Sequence, residues 1–91
     1  MVIDPKETEE RMKEAREVMK QVRSRLGIRF DCRVADYDGQ AYKVKISDKS
    51  EFIFRSIPRK YFDDKDSWED HVGYWTTLFA EVEKELSKRR R

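Results

Sequence analysis

The chain has 91 residues, of which 44% are charged and 37% hydrophobic, and its 21 Lys and Arg against 19 Asp and Glu leave a formal net charge of +2. This length supports one domain with a modest core. The near-balance of charge excludes a globally basic nucleic-acid binder and leaves local clustering as the only electrostatic footprint. A single cysteine, Cys32, excludes an internal disulfide framework and agrees with a reducing, cytoplasmic compartment. Asp4, Glu7, Glu9 and Glu10 fall among the first ten residues, where a signal peptide would need an apolar core. No apolar run reaches the length of a bilayer span, so no membrane partner is expected. The charged fraction exceeds the usual ~25%, a level common in thermophile and engineered proteins.

Asp4-Pro5-Lys6-Glu7 predicts a helix start: Asp4 accepts from exposed amides, Pro5 suits the first position and Glu7 completes a capping-box spacing. Thr8, Met12, Ala15, Met19, Val22 and Leu26, with Val18 beside them, form one apolar stripe on a charged helix. Gly27 ends that helix as a left-handed cap, with Ile28 folding back.

Three strands follow. Ile28, Phe30, Cys32 and Val34 alternate with Arg29, Asp31 and Arg33, which predicts a half-buried strand from Ile28 to Asp36. Tyr42, Val44 and Ile46 alternate with Lys43 and Lys45 in a second strand, Gln40 to Ser47. A loop of Tyr37-Asp38-Gly39 pairs Val34 with Tyr42 and Cys32 with Val44, keeping core residues opposite core residues. After a turn at Asp48-Lys49-Ser50, a third strand runs from Glu51 to Ile57 and ends at Pro58. By the same argument Phe52 and Phe54 point inward, opposite Ile46 and Val44, while Ile53 and Arg55 point outward.

Residues 59–65 form a loop, with Tyr61 and Phe62 tucked against the sheet edge. Asp66 or Ser67 caps a last helix, with an acidic residue, Glu69 or Asp70, three positions on. Trp68, Val72, Trp75, Phe79, Val82 and Leu86 form its central stripe. His71, Tyr74 and Leu78 widen one side, and Gly73, Thr76 and Ala80 make a small-residue ridge on the other. Gly73 in a helix points to close backbone approach, because glycine there costs about 1 kcal/mol against alanine. The expected fold is therefore a single α+β domain, 1–91, of order α-β-β-β-α, with two helices on one face of a three-stranded antiparallel sheet.

The outward set of this sheet is cationic: Arg29, Arg33, Lys43, Lys45 and Arg55, with Asp31 and Glu51 as its acids. Arg33 and Arg55 both face Lys43 in this register. Facing like charges cost stability, which points to an anionic partner, RNA or DNA, held mostly through phosphates. Solubilising the sheet face explains the same cations without a ligand. The Lys88-Arg89-Arg90-Arg91 run could contact phosphates, and it equally suits a helix C-terminus, while the acids Asp63, Asp64, Asp66, Glu69 and Asp70 suit a helix N-terminus. These acids lack the glycine turn and ligand ladder of a calcium loop, so no metal site is expected.

His71 has no nucleophile beside it, and Cys32 reads as a small buried hydrophobe. Neither a nucleophile elbow nor a phosphate-cradling glycine loop is present. The expectation is a non-enzymatic module with no catalytic residues and no cofactor. His71, Tyr74 and Leu78 are the part of the last helix's apolar arc that the sheet does not obviously cover, a candidate interface for a protein partner or a homodimer. An engineered chain made for its fold, with no natural ligand, is the third reading.

The helix–three strands–helix order is also that of double-stranded RNA-binding domains. It resembles the small Alu-RNA-binding subunits of the signal recognition particle, whose hairpin the stretch Asp38-Gly39 through Lys43-Val44-Lys45-Ile46-Ser47-Asp48 looks like. The resemblance implies a basic sheet face in contact with RNA. The glycine-rich lysine motif of double-stranded RNA-binding domains is absent, and Asp63 to Asp70 is acidic where theirs is basic.

Overall fold

The computed structural model describes residues 4–62 and 68–89. Helix α1 spans Pro5–Leu26, strands β1, β2 and β3 span Asp31–Tyr37, Ala41–Ser47 and Phe52–Pro58, and helix α2 spans Val72–Arg89. Short 3-10 turns, Arg59–Tyr61 and Trp68–His71, flank the connection into α2. The sheet is antiparallel in the order β1-β2-β3. One core joins Ala15, Val18, Met19 and Val22 of α1 to Trp75, Leu78, Phe79, Val82 and Leu86 of α2. Beneath them lie Val34, Tyr42, Val44, Ile46, Ile53 and Ile57 of the strands, so both helices cover the same sheet face. This is the expected α-β-β-β-α arrangement.

Helix α1 starts and stops where its caps place it. The Asp4 carboxylate accepts from the Lys6 N–H at 2.9 Å, and Pro5 opens the helix. Gly27 has φ +64°, where a side chain would be strained, and its N–H and that of Ile28 both return to the Arg23 carbonyl. The caps proposed at Asp66 or Ser67, and the acids Asp63, Asp64 and Asp66, lie outside the described residues.

The strand registers differ from expectation in two places. At the first hairpin, Tyr37 lies opposite Tyr42, and Ala35 is an extra residue before Val34 meets Val44 and Cys32 meets Ile46. The turn itself is tight: Asp38 N–H donates to the Ala41 carbonyl, and the Asp38 carboxylate accepts from Gln40 and Ala41 N–H, both at 2.8 Å. Those amide bonds hold the Asp38 carboxyl below its ordinary range. The bulge buries Tyr37, which was expected in the loop, and stacks it on Tyr42 at 4.4 Å. Its hydroxyl donates to the Gly39 carbonyl at 3.0 Å, so burial leaves no polar group unsatisfied.

At the second hairpin, Asp48 N–H donates to the Glu51 carbonyl at 2.9 Å, which makes Lys49-Ser50 a two-residue turn. Ile46 therefore pairs with Ile53, Lys45 with Phe54 and Ser47 with Phe52. This is one residue away from the expected pairing, and one residue reverses every side chain of β3. Ile53 and Ile57 are buried, whereas Phe52 and Phe54 are 46% and 41% exposed. The reason lies at the far end of the strand. The inward set Ile53-Arg55-Ile57 ends in an apolar residue opposite Tyr42, while the alternative set would place the Ser56 hydroxyl there.

Phe62 is buried against Tyr42 and Trp75, as the expected tuck against the sheet implies. Gly73 is exposed, and a Cβ built on it meets nothing within 4 Å. The expected close backbone approach at Gly73 is therefore not made.

The β3 register has a measurable consequence. Ile57→Ala should lower unfolding stability by about 2–4 kcal/mol, as for other buried isoleucines. Phe54→Ala should lower it by less than about 1 kcal/mol, as for an exposed residue. Urea titration of both variants checks this, and the reverse order would mean that the phenylalanines, not the isoleucines, face the helices.

Candidate functional site

The sheet face opposite the helices is built by β2 and β3 with part of β1. Lys43 and Lys45 project from β2 because Val44 and Ile46 are held in the core between and beyond them. Phe52, Phe54 and Ser56 share that face because they pair with Ser47, Lys45 and Lys43. Arg33 lies opposite Lys45, and Asp31 opposite Ser47.

The two rings and the two lysines form one strip. The Lys43 ammonium sits 4.6 Å from the centroid of Phe54, and the Lys45 ammonium 4.5 Å from that of Phe52. The ring centroids are 5.6 Å apart and nearly perpendicular, at 81°. Edge-to-face geometry and an ammonium over a ring are both favourable electrostatic arrangements of the aromatic quadrupole. Arg33 is drawn to Asp31, Nε to Oδ2 at 3.6 Å, which eases its confrontation with Lys45.

Of the five expected cationic residues, this face gathers Arg33, Lys43 and Lys45. Arg55 is corrected: it pairs with the buried Val44 and so belongs to the helix-covered side, not beside Lys43. Its long stem brings the guanidinium to the strand edge, where Nη1 donates to the Phe54 carbonyl at 3.1 Å. Arg29 is also corrected, because β1 begins at Asp31 and Arg29 stands in the segment before it. There it lines an open groove of about 1190 Å3 with Leu26, Phe30, Asp48, Thr76 and Ala80. Thr76 and Ala80 of the small-residue ridge thus face this groove, and Gly73 does not line it.

The second expected surface is not an open patch. Leu78 is 8% exposed and belongs to the core, a correction that follows from its place on the same arc as Trp75 and Val82. Tyr74 is half-buried and stacks on Tyr61 at 3.7 Å, and His71 meets the edge of the same ring at 4.8 Å. Tyr61, from the loop after β3, therefore covers what the arc left over. Burial pushes the Tyr74 hydroxyl upward, with Tyr61 and Glu81 adding to it.

Phe52 and Phe54 are the functional candidates that sequence alternation missed. Apolar residues occupy both parities of β3, Phe52 and Phe54 on one and Ile53 and Ile57 on the other. The signal that decides is Ile57, together with the fit of Asp48 to Glu51 as a two-residue turn. Arg89 lies in the terminal basic run that the sequence offers for phosphates, but its place beside β3 is not legible there. Its Nη1 donates to the Phe52 carbonyl at 3.0 Å, which brings the end of α2 to the start of β3.

The chain matches no family model, no curated protein and no solved structure. No helix among the described residues is long and apolar enough to cross a membrane.

Cys32 is half-buried on β1, its thiol directed to the Phe30 carbonyl at 3.9 Å. Burial pushes the thiol up to about 12, with Asp31 in the same direction and Arg23 against it. Thiolate is the reactive form, so the folded protein holds Cys32 inert at neutral pH. Alkylation by iodoacetamide at pH 8 should run at least about 100-fold slower in the native protein than in urea. Equal rates would mean an exposed, activated cysteine.

Proposed function

We propose that the uncovered sheet face binds single-stranded nucleic acid, with Phe52 and Phe54 as stacking platforms and Lys43, Lys45 and Arg33 as phosphate contacts. The observation that carries this reading is the pair of exposed phenyl rings, each with a lysine ammonium over it. A basic face alone serves solubility as well as binding. Exposed phenylalanines serve solubility poorly, and their rings add the sequence-tolerant π-face on which bases of a single strand stack. Lysines interleaved with aromatics supply the second requirement of such sites, cations that track the backbone.

Each lysine gives up little on meeting a phosphate. An exposed cation–π contact is worth about 0.5–1 kcal/mol, so the ammonium exchanges the ring for an anion at small cost and frees the ring for a base. Duplex nucleic acid keeps its bases stacked inside and presents mainly phosphates, so the rings favour single strands. This reading makes the protein a binding module with no chemistry of its own.

Fluorescence anisotropy with labelled single- and double-stranded RNA and DNA tests it. Single strands should bind more tightly than duplexes, with an affinity that falls steeply as salt rises. The Phe52→Ala/Phe54→Ala double variant should lose about 30-fold or more in affinity, since each stacked base contributes about 1–3 kcal/mol. The Lys43→Glu/Lys45→Glu variant should bind more weakly and with a shallower salt slope. Equal binding by wild type and both variants would remove the sheet face from consideration.

A further inference from the structure

The outer edge of β3 carries a second row of cations. Because Asp48 N–H and the Glu51 carbonyl close the hairpin, the next pair, Ser47 and Phe52, is of the non-bonded type. Alternation then turns the backbone groups of Phe52, Phe54 and Ser56 away from β2. Two of those outward carbonyls are taken by guanidinium groups, Phe52 by Arg89 at 3.0 Å and Phe54 by Arg55 at 3.1 Å. Each phenylalanine therefore has a lysine ammonium over its ring and a guanidinium on its backbone carbonyl at the open edge. The units are Lys43–Phe54–Arg55 and Lys45–Phe52–Arg89.

We propose that this repeated unit is a two-nucleotide register: one base against each ring, with the phosphates running along the β3 edge over Arg55 and Arg89. The inference rests on the single-strand reading above and adds its register and its phosphate row. Spacing supports one base per ring. Inserting a base between two rings needs about 6.8 Å, two stacking steps of about 3.4 Å, and the phenyl centroids are 5.6 Å apart and nearly perpendicular. Residues two apart on a strand are separated by about 6.6–6.8 Å, so successive bases have a ring each along β3.

The arginines suit phosphate. A guanidinium offers five N–H donors in a rigid fork, and one bond to a carbonyl leaves the others for an anion. Anchoring by the backbone also holds the fork in place, which lowers the ordering cost of binding. Arg89 reaches the site from α2 and Arg55 from the covered side of the sheet, so neither belongs to the outward set of the strands.

The test uses labelled oligo-U and oligo-dT with the full chain, comparing affinity and salt slope among single variants. Arg89→Gln should bind several-fold more weakly and lower the slope of log K against log salt by about 0.7, the value for one phosphate on a single strand. Arg55→Gln should do the same. Lys88→Gln, on the same helix end, should leave the slope unchanged. Phe52→Ala and Phe54→Ala should each weaken binding about 5- to 150-fold, and the double variant by the product.

Binding that depends on the phenylalanines but is indifferent to both arginines would overturn the phosphate row and leave the single-strand reading standing. So would equal effects of Arg89→Gln and Lys88→Gln, which would mark a diffuse charge effect. A double phenylalanine variant no weaker than the worse single would overturn the two-base register. No binding of either oligonucleotide at low salt would overturn register and reading together. Arg89 is exposed at a helix end, so its variant reports binding even where Arg55→Gln disturbs the fold.

Discussion

The turn from Asp48 to Glu51 decides more about this protein than any other contact. Its one backbone bond fixes the pairing of β3 on β2. In a strand the side chains alternate with a period of two, so the two possible pairings differ completely. With the observed pairing, Ile53 and Ile57 enter the core and the phenylalanines stand over the lysines. With the pairing one residue away, Phe52 and Phe54 would lie under the helices, and the outer face would hold Ile53, Arg55 and Ile57. The same turn also sets which carbonyls of β3 point outward, and so which ones Arg55 and Arg89 reach.

The composition explains why one face stays open. Two helices supply one layer, and the core they form with the sheet uses most of the large aliphatic residues of the chain. Among the described residues no further element covers the other face, and an antiparallel sheet tolerates one solvated face. That face still needs protection, because β3 is an edge strand with unpaired backbone groups. The arginines on the Phe52 and Phe54 carbonyls occupy acceptors that an incoming strand would need. At the opposite edge the bulge at Ala35 distorts β1. Both are recognised means of preventing edge-to-edge association.

The legible part of the sequence was the part with a single apolar parity. Helix α1 was readable from end to end because Asp4, Pro5 and Gly27 punctuate it and its stripe has one face. Strand β2 was readable because Lys43 and Lys45 separate Tyr42, Val44 and Ile46 without ambiguity. Strand β1 was readable in its alternation from Asp31 to Val34, but it starts at Asp31 rather than Ile28, and the bulge after Val34 shifted its pairing and buried Tyr37. Strand β3 was ambiguous by composition, with apolar residues on both parities, and larger side chains on the wrong one. Alternation assigns faces by hydrophobicity and takes the larger residue as the core residue. Here the turn and Ile57 outweighed ring size. Leu78 shows a related limit. Helical spacing placed it at the margin of the arc, and only the seating of α2 on the sheet put it inside.

The cations of the open face have an explanation that needs no ligand, since lysine and arginine on a sheet keep it from aggregating. The rings test whether that explanation is sufficient. A face shaped for solubility alone would carry threonine, glutamate or lysine at positions 52 and 54, with the same strand propensity or better charge. Phenylalanine there adds exposed apolar area, and the lysines above it only partly screen that area, leaving 46% and 41% accessible. The arrangement also gathers like charges, Arg33 against Lys45, where a stability-driven sequence would alternate signs. Each of these features costs a little in the isolated chain. A polyanion with planar bases offsets both costs at once, covering the rings and neutralising the opposed cations, and an apolar protein partner would offset only the first.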